Sequence, residues 1–160
     1  MRGKSAPAGR RGSPGFTMIE LVVTMVIIGI LAIAVLPRMD LLRGYDEIGF
    51  RDRVRTALEF ARKSAVAQRR YARVTVAGST LTAHIASGIP EGPTAATFDR
   101  DLVLPGENDN QLDPPGGVTL TPNATVIFDP LGRIQSAATL TFTVSGAGNI
   151  TVEAETGYVH

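Results

Sequence analysis

The chain has 160 residues, of which 16 are Lys or Arg and 15 are Asp or Glu, so its formal net charge at neutral pH is only +1. It contains no cysteine, which excludes disulfide-held domains, thiolate zinc sites and cysteine nucleophiles. A chain of this length with a long apolar stretch near its start has room for one stalk and one compact domain, but not for two full domains.

Residues 1–15 form a basic leader. The leader carries Arg2, Lys4, Arg10 and Arg11 and has no acidic residue. Cations that flank an apolar segment favour the cytoplasmic side of a membrane. We therefore expect the leader in the cytoplasm and the C-terminal body on the opposite side of the membrane.

The segment 16–36 is apolar over 21 residues. At about 1.5 Å of rise per residue, a helix of this length crosses a hydrocarbon core of roughly 30 Å. An ordinary secretory signal has a small-residue cleavage site after its apolar run, but residues 36–40 read Leu-Pro-Arg-Met-Asp. We therefore predict that residues 16–37 are retained as the single membrane-spanning half of a long N-terminal helix.

Glu20 is the only charged residue in this apolar segment. An unpaired carboxylate in such a place costs several kcal/mol, so by default it marks a function. One interpretation is that a second subunit supplies the cation, because the helix cannot fold back on itself to do so. The other is a capping box, in which the Thr17 hydroxyl accepts from the Glu20 amide and the Glu20 carboxylate accepts from the Thr17 amide.

The run Gly15-Phe16-Thr17-Met18-Ile19-Glu20 behind a basic leader resembles the signal of type IV prepilins, the precursors of pilins, minor pilins and the pseudopilins of type II secretion. The resemblance implies that a prepilin peptidase and methyltransferase cuts after Gly15 and methylates the Phe16 amine. It also implies that Glu20 meets the terminal amine of a neighbouring subunit in a filament. The implied partners are other pseudopilins or pilins, an inner-membrane assembly platform and membrane lipid.

Residues 38–72 are predicted to form the amphipathic half of the same helix. Apolar residues recur there at steps of three and four positions, at Phe50, Val54, Ala57, Leu58, Ala61 and Ala65. Pro37 lies where the two halves meet, and a proline inside a helix removes a backbone hydrogen bond and bends the axis. Pilin-like proteins commonly have a proline at this point, and Pro37 is explained nearly as well as a marker of the membrane exit.

The rest of the chain, residues 73–160, reads as a β-rich head. Segments 73–76 and 80–85 flank Ala-Gly-Ser and predict a hairpin, whereas residues 87–117 are rich in proline, glycine and acids and predict a long loop with a short strand at 101–104. Further strands are predicted at 117–120, 125–129, 139–144 and 150–154. The predicted fold class is α+β, with a long N-terminal transmembrane and stalk helix packed on an antiparallel β-sheet head, as in type IV pilin-like proteins.

Three head segments resemble the GspH/FimT family of minor pseudopilins and minor pilins. They are residues 57–69 at the end of the helix, residues 127–133 (Ile-Phe-Asp-Pro-Leu-Gly-Arg) and residues 156–160 (Thr-Gly-Tyr-Val-His). The resemblance implies a minor pseudopilin of type II secretion, in a periplasmic filament that helps to export folded proteins. The alternatives are a minor pilin of a type IV pilus, including mannose-sensitive-haemagglutinin-type pili, and a DNA-binding uptake pilin.

DNA binding in a subset of this family uses a C-terminal Gly-Arg-x-Arg element, and residues 157–160 here lack both arginines. Residues 38–73 carry 10 basic and 5 acidic residues, whereas residues 74–160 carry 2 and 9, so a basic stalk carries an acidic head. Arg69, Arg70 and Arg73 are the candidates for weak phosphate contact. We expect no specific nucleic-acid partner.

We expect neither a metal, a cofactor nor an enzymatic activity. The acidic loop 107–113 is rich in oxygen ligands, but it departs from the spacing of a calcium-binding EF-hand and lacks its central glycine. The chain has none of the common catalytic motifs. His84 and His160 have no recognisable partner in the sequence for acid–base chemistry.

Overall fold

The computed structural model describes residues 15–88, 96–136 and 138–160, and within helix α1 it leaves out the side chains of residues 33–43. The leader 1–14 therefore lies outside the described residues. Two compact units divide the chain, Met1–Asp40 and Leu41–His160. Helix α1 runs from Met18 to Gln68 and belongs to both units.

The first unit contains the N-terminal part of α1. Twelve large apolar side chains between Phe16 and Leu31 are each at least 48% exposed. No helix within the described ranges has both the length and the apolar character that a membrane crossing needs. Pro37, where a bend is predicted, is one of the residues whose side chains the structure does not describe. Helix α1 continues through that position.

The second unit combines the rest of α1 with eight antiparallel strands. These are β1 (Ala72–Ala77), β2 (Thr80–Ile85), β3 (Arg100–Asp101), β4 (Gln111–Leu112), β5 (Leu120–Thr121), β6 (Ala124–Phe128), β7 (Leu140–Val144) and β8 (Gly148–Val152). The larger sheet has the order β3-β2-β1-β6, and β4 also pairs with β2. The smaller sheet has the order β5-β7-β8.

The core forms where the apolar face of α1 meets both sheets. The six helix residues predicted to share one face are all buried, with at most 2% of their surface exposed, and belong to one cluster with residues of both sheets. Strand β1 alternates buried and half-buried residues, so that Val74 lies inside the core and pairs with Ala83 of β2 and Val126 of β6. The predicted α+β class is thereby confirmed.

The β1–β2 hairpin is also confirmed. Its two central residues, Gly78 and Ser79, have φ of 59° and 74°, and both angles being positive is the signature of a type I′ turn. The Gly78 amide donates to the Asn123 side chain at 3.1 Å, which ties this turn to the start of β6.

Three predictions about the head need correction. The strands form two sheets, not one, because alternation assigns a strand to a face but does not choose its neighbour. The strand predicted at 101–104 is only Arg100–Asp101. The stretch that contains β4 is predicted as a loop. Its two residues form a strand because they pair with β2, which is distant along the chain.

Candidate functional site

The N-terminal end of α1 contains the residues predicted to be cleaved, methylated and used in assembly. Phe16 is 79% exposed and precedes the first helical residue, Met18. The Thr17 carbonyl accepts from the amides of Glu20 at 3.1 Å and Leu21 at 3.2 Å, and the Thr17 hydroxyl accepts from the Glu20 amide at 3.3 Å. Thr17 therefore caps the helix, as predicted.

The second half of the capping box is not formed. Among the hydrogen bonds of residues 15–32, none joins the Glu20 carboxylate to the Thr17 amide. The Glu20 side chain is exposed at the start of an apolar helix. Its carboxylate therefore keeps its acceptor capacity for a partner outside the helix.

In the head, Arg62 of α1 joins two distant segments. Its Nε donates to the carbonyl of Gly132 at 3.0 Å and to that of Thr156 at 3.1 Å. Gly132 and Gly157 have φ of 83° and 60°, in the left-handed region that glycine adopts most easily. A Cβ on Gly157 would overlap the Gly132 carbonyl oxygen, so the two segments are in direct contact.

Asp129 holds the turn that follows β6. Its side chain is only 6% exposed. Its Oδ1 accepts from the amides of Leu131 and Arg133, both at 2.9 Å, and its Oδ2 accepts from the Arg133 guanidinium at 3.1 Å. A carboxylate with three donors, one of them charged, offsets the cost of its burial.

These two anchors hold together two segments that each carry an exposed apolar side chain. Leu131 and Tyr158, which flank the joined glycines, are 71% and 54% exposed. A groove of about 430 Å³ lies beside the turn that Asp129 holds and is lined by Asp129, Arg133, Ile134, Gln135, Ser136, Ala154 and Glu155. The sequence identified these segments by resemblance only, and the Asp-Pro-Leu-Gly turn pattern is the local signal that could have indicated the role of Asp129.

The arginines predicted to contact nucleic acid meet different neighbours. Arg70 donates to the carbonyls of Ala86, at 3.1 Å, and Ser87. Arg73 lies over the ring of Phe98, 4.6 Å from its centroid. Arg69 is exposed just past the end of α1. Two of the three guanidinium groups are therefore engaged within the head.

The acidic loop is held by contacts within the head. Glu107 forms an ion pair with Arg53. The Asp113 Oδ1 accepts from the Thr80 hydroxyl at 2.7 Å and from the side-chain amide of Gln111 at 3.0 Å. The Thr80 hydroxyl and, after it, the Gln111 amide hold the pKa of Asp113 below its usual value. Nowhere in the described ranges do three or more His, Cys, Asp or Glu residues form a group that could hold a metal.

The two histidines, for which the sequence indicated no partner, each lie near a carboxylate. His84 Nε2 is 3.5 Å from Asp101 and 3.2 Å from the Asn110 side chain, and His160 Nε2 is 3.2 Å from Glu153. Local sequence patterns do not indicate these contacts: His84 is 26 positions from Asn110, and His160 is 7 positions from Glu153.

Comparison with known proteins agrees with this architecture. Residues 10–36 match the prokaryotic N-terminal methylation motif, and residues 51–156 match the family described as type II transport protein GspH. None of the curated proteins is similar enough in sequence to match.

The fold is similar to that of the type IV minor pilin FimU of Pseudomonas aeruginosa strain PAO1. One crystal form of FimU, in space group P65, aligns with a TM-score of 0.50 and 16% identity over 70% of this chain and 89% of FimU. A second form, in space group P21, gives 0.48 and 16% over 78% and 89%. Because the GspH match covers more than half of its length, the chain belongs to the type II transport protein GspH family.

Proposed function

We propose that this chain is a minor pseudopilin of a type II secretion system. In this role it is a structural subunit, or the tip, of the periplasmic pseudopilus that helps to export folded proteins. The observation that carries the proposal is the presence of both matches in one chain, a methylation motif over residues 10–36 and a GspH domain over residues 51–156. The subunit acts by assembly and contact.

The N-terminus is proposed to mature in two steps. Prepilin peptidase cleaves between Gly15 and Phe16, and the same enzyme methylates the new Phe16 amine. The exposed position of Phe16, ahead of the first helical residue, supports this because a protease needs an extended, accessible peptide bond. The leader stays in the cytoplasm, while the β-rich head lies in the periplasm.

The apolar residues of 16–36 are proposed to hold the subunit in the inner membrane and later in the filament. A row of side chains at least 48% exposed between Phe16 and Leu31 is far too apolar for a surface facing water. Lipid covers it before assembly, and the helices of other pseudopilins cover it afterwards. The inner-membrane assembly platform transfers the subunit from one environment to the other.

Glu20 is proposed to pair with the Phe16 amine of an adjoining subunit. The Thr17 hydroxyl caps the backbone amide of Glu20 and leaves its carboxylate free to accept from another chain. In an apolar filament interior, two opposite charges offset each other's desolvation only when they are in contact. The pair therefore sets the axial position of one subunit against the next.

A deletion of the gene in its native host tests this function. We expect the substrates of type II secretion to remain in the periplasm, with piliation and DNA uptake unchanged, and we expect the wild-type gene to restore export. Thr141→Ala, at an exposed position of β7, serves as a matched control that should restore export fully. Normal export combined with loss of pili would contradict the proposal and assign the chain to a type IV pilus.

A further inference from the structure

A loop of the head, residues 102–110, leaves the outer edge of β2 after β3 and returns to it just before β4. We call it the edge loop. Strands β3 and β4 pair with β2 on either side of Ala83. The Ala83 amide donates to the Asn110 carbonyl at 2.9 Å, and the Ala83 carbonyl accepts from the Leu102 amide at 3.1 Å. Both ends of the edge loop are therefore tied to one residue of β2.

The side chain of Asn110 adds a further tie. Its Nδ2 lies 3.2 Å from the Ala83 carbonyl oxygen and 3.0 Å from Oδ1 of Asp101. Because both of these oxygens are acceptors, the position must hold the amide nitrogen of Asn110 and not its amide oxygen. The same nitrogen is 3.2 Å from Nε2 of His84. A donor therefore faces Nε2.

This geometry fits a neutral His84. An imidazole nitrogen accepts a hydrogen bond only when it carries no hydrogen, so the ring hydrogen lies on Nδ1. The Nδ1 atom is buried, and no group among the residues that the structure describes bonds to it. The polar contacts of the ring are thus made by Nε2, the atom that would gain a hydrogen on protonation.

Charged groups on three sides surround the ring. The buried residues of β2 alternate with His84, so the ring lies on the face of the sheet that points away from the core. On β1, Arg73 pairs in register with His84, and its guanidinium lies over the ring of Phe98. On β3, the Asp101 carboxylate is 3.5 Å from Nε2, and the edge loop contributes Asp109. Asp101 is therefore placed to accept a hydrogen bond from a protonated ring.

We propose that His84 is a proton-sensitive latch for the edge loop. Protonation by solvent puts a hydrogen on Nε2, which then opposes the Asn110 amide instead of accepting from it. The imidazolium donates to Asp101 and competes with Asn110 for that carboxylate, and the charged donor forms the stronger bond. Asn110 thereby loses two of its three side-chain neighbours, and the edge loop opens.

Opening of the edge loop changes the surface of the head. Val103, which is 54% exposed, lies in this loop between the buried Leu102 and Leu104. Glu107 of the same loop forms an ion pair with Arg53 of α1. A proton on His84 therefore alters an exposed surface and loosens a contact between the loop and the helix. This response does not depend on the proposed function.

Hydrogen exchange of the full-length chain in detergent micelles tests the latch. Exchange of residues 102–110 is measured at about pH 7.5 and about pH 5.5, a range in which histidine side chains commonly titrate. Each rate is divided by that of an unstructured peptide at the same pH. The reporters are the amides of Leu104 and Glu107, which donate to the Asp109 and Leu104 carbonyls within the loop. We expect their protection to fall by about tenfold at the lower pH, and that of β7 to stay unchanged.

The two histidines of the chain supply matched variants. His84→Gln removes the titrating group but retains an oxygen that can accept from Asn110, so the edge loop should stay protected at both pH values. His160→Gln removes the histidine beside Glu153 and should keep the wild-type response. Asn110→Ala removes the group that the latch holds, so protection should be weak at both pH values.

Circular dichroism verifies that each variant folds. Equal protection of the wild-type edge loop at the two pH values would overturn the latch, as would an undiminished response in His84→Gln. Loss of the response in His160→Gln would assign it to the other histidine and would also contradict the proposal. If His84→Gln did not fold, Asn110→Ala would decide, because a wild-type response in that folded variant excludes a latch through Asn110.

Discussion

At the scale of single residues, the head depends on a few polar groups that connect segments far apart in the chain. The two carbonyls that Arg62 binds lie 70 and 94 positions further along the sequence. Asp129, almost fully buried, fixes the turn that presents one of those carbonyls. These contacts also fix the segments that carry the exposed Leu131 and Tyr158.

The contact between Gly132 and Gly157 gives a prediction with a close control. Gly157→Ala forces a side chain into the left-handed region and against the Gly132 carbonyl oxygen, whereas Gly78→Ala meets the same backbone conformation with open space around it. We expect Gly78→Ala to lower the free energy of unfolding by about 1 kcal/mol and Gly157→Ala to lower it by at least about 2 kcal/mol more. Urea unfolding followed by circular dichroism measures the difference. Equal losses of unfolding free energy in the two variants would show that a side chain at position 157 does not clash with the Gly132 carbonyl oxygen.

The Asp113 carboxylate gives a prediction about pH. Its pKa is lowered chiefly by the Thr80 hydroxyl, so its contribution to stability is present at neutral pH and is lost as the pH falls through the pKa of the folded state. Thr80→Val should raise the pKa of Asp113 and reduce that acid sensitivity. Thr82→Val, two positions along the same strand, is the control and should leave the pKa unchanged. A titration of the carboxyl groups followed by NMR measures these pKa values. An unchanged pKa of Asp113 in Thr80→Val would contradict the role of the Thr80 hydroxyl.

At the scale of elements, α1 has two different tasks. Residues 50–65 pack in the core of the head, whereas the segment that begins at Phe16 exposes apolar side chains and one carboxylate. Glu20→Leu removes the charge and increases helix apolarity, so processing should remain normal while incorporation into the filament falls sharply. Cross-linking to sibling subunits, with the processed fraction measured in parallel, reads out both steps.

The control for this prediction is Thr24→Leu, which lies one turn further along the helix. The Thr24 hydroxyl donates to the Leu21 carbonyl of its own helix, so its loss should leave assembly at the wild-type level. If processed Glu20→Leu joined filaments as efficiently as Thr24→Leu, the role of Glu20 would be limited to the helix cap.

Local sequence patterns predicted most secondary-structure elements well, but they did not predict which elements pair or pack with one another. The apolar face from Phe50 to Ala65 and the β1–β2 hairpin follow from local periodicity and turn residues, and both are present. The division into two sheets, the pairing of β4 with β2 and the role of Arg62 each depend on contacts between distant positions, which local patterns do not encode. The resemblance to GspH located the two segments that meet at Arg62 but did not indicate that they touch.

At the scale of the whole molecule, charge is divided along the chain between a basic segment, residues 38–73, and an acidic one, residues 74–160. Residues 74–160 carry 9 acidic and 2 basic residues, and Arg70 and Arg73 already have partners within the head. We therefore predict that the part of the chain from about Met39 onward binds duplex DNA weakly, without sequence preference, and that added salt abolishes the binding. Fluorescence anisotropy with two unrelated duplexes measures this. Submicromolar affinity at physiological salt would contradict it and support a role in DNA uptake.

The whole account depends on one event, the maturation of the N-terminus. The proposed pairing of Glu20 requires an amine at Phe16 that only cleavage after Gly15 can supply. Mass spectrometry of the N-terminal peptide, isolated from membranes of the native host, measures this most directly. We predict a mature chain that begins with N-methylated Phe16. A chain that still begins at Met1, in a host whose prepilin peptidase is active on other pilins, would contradict the account.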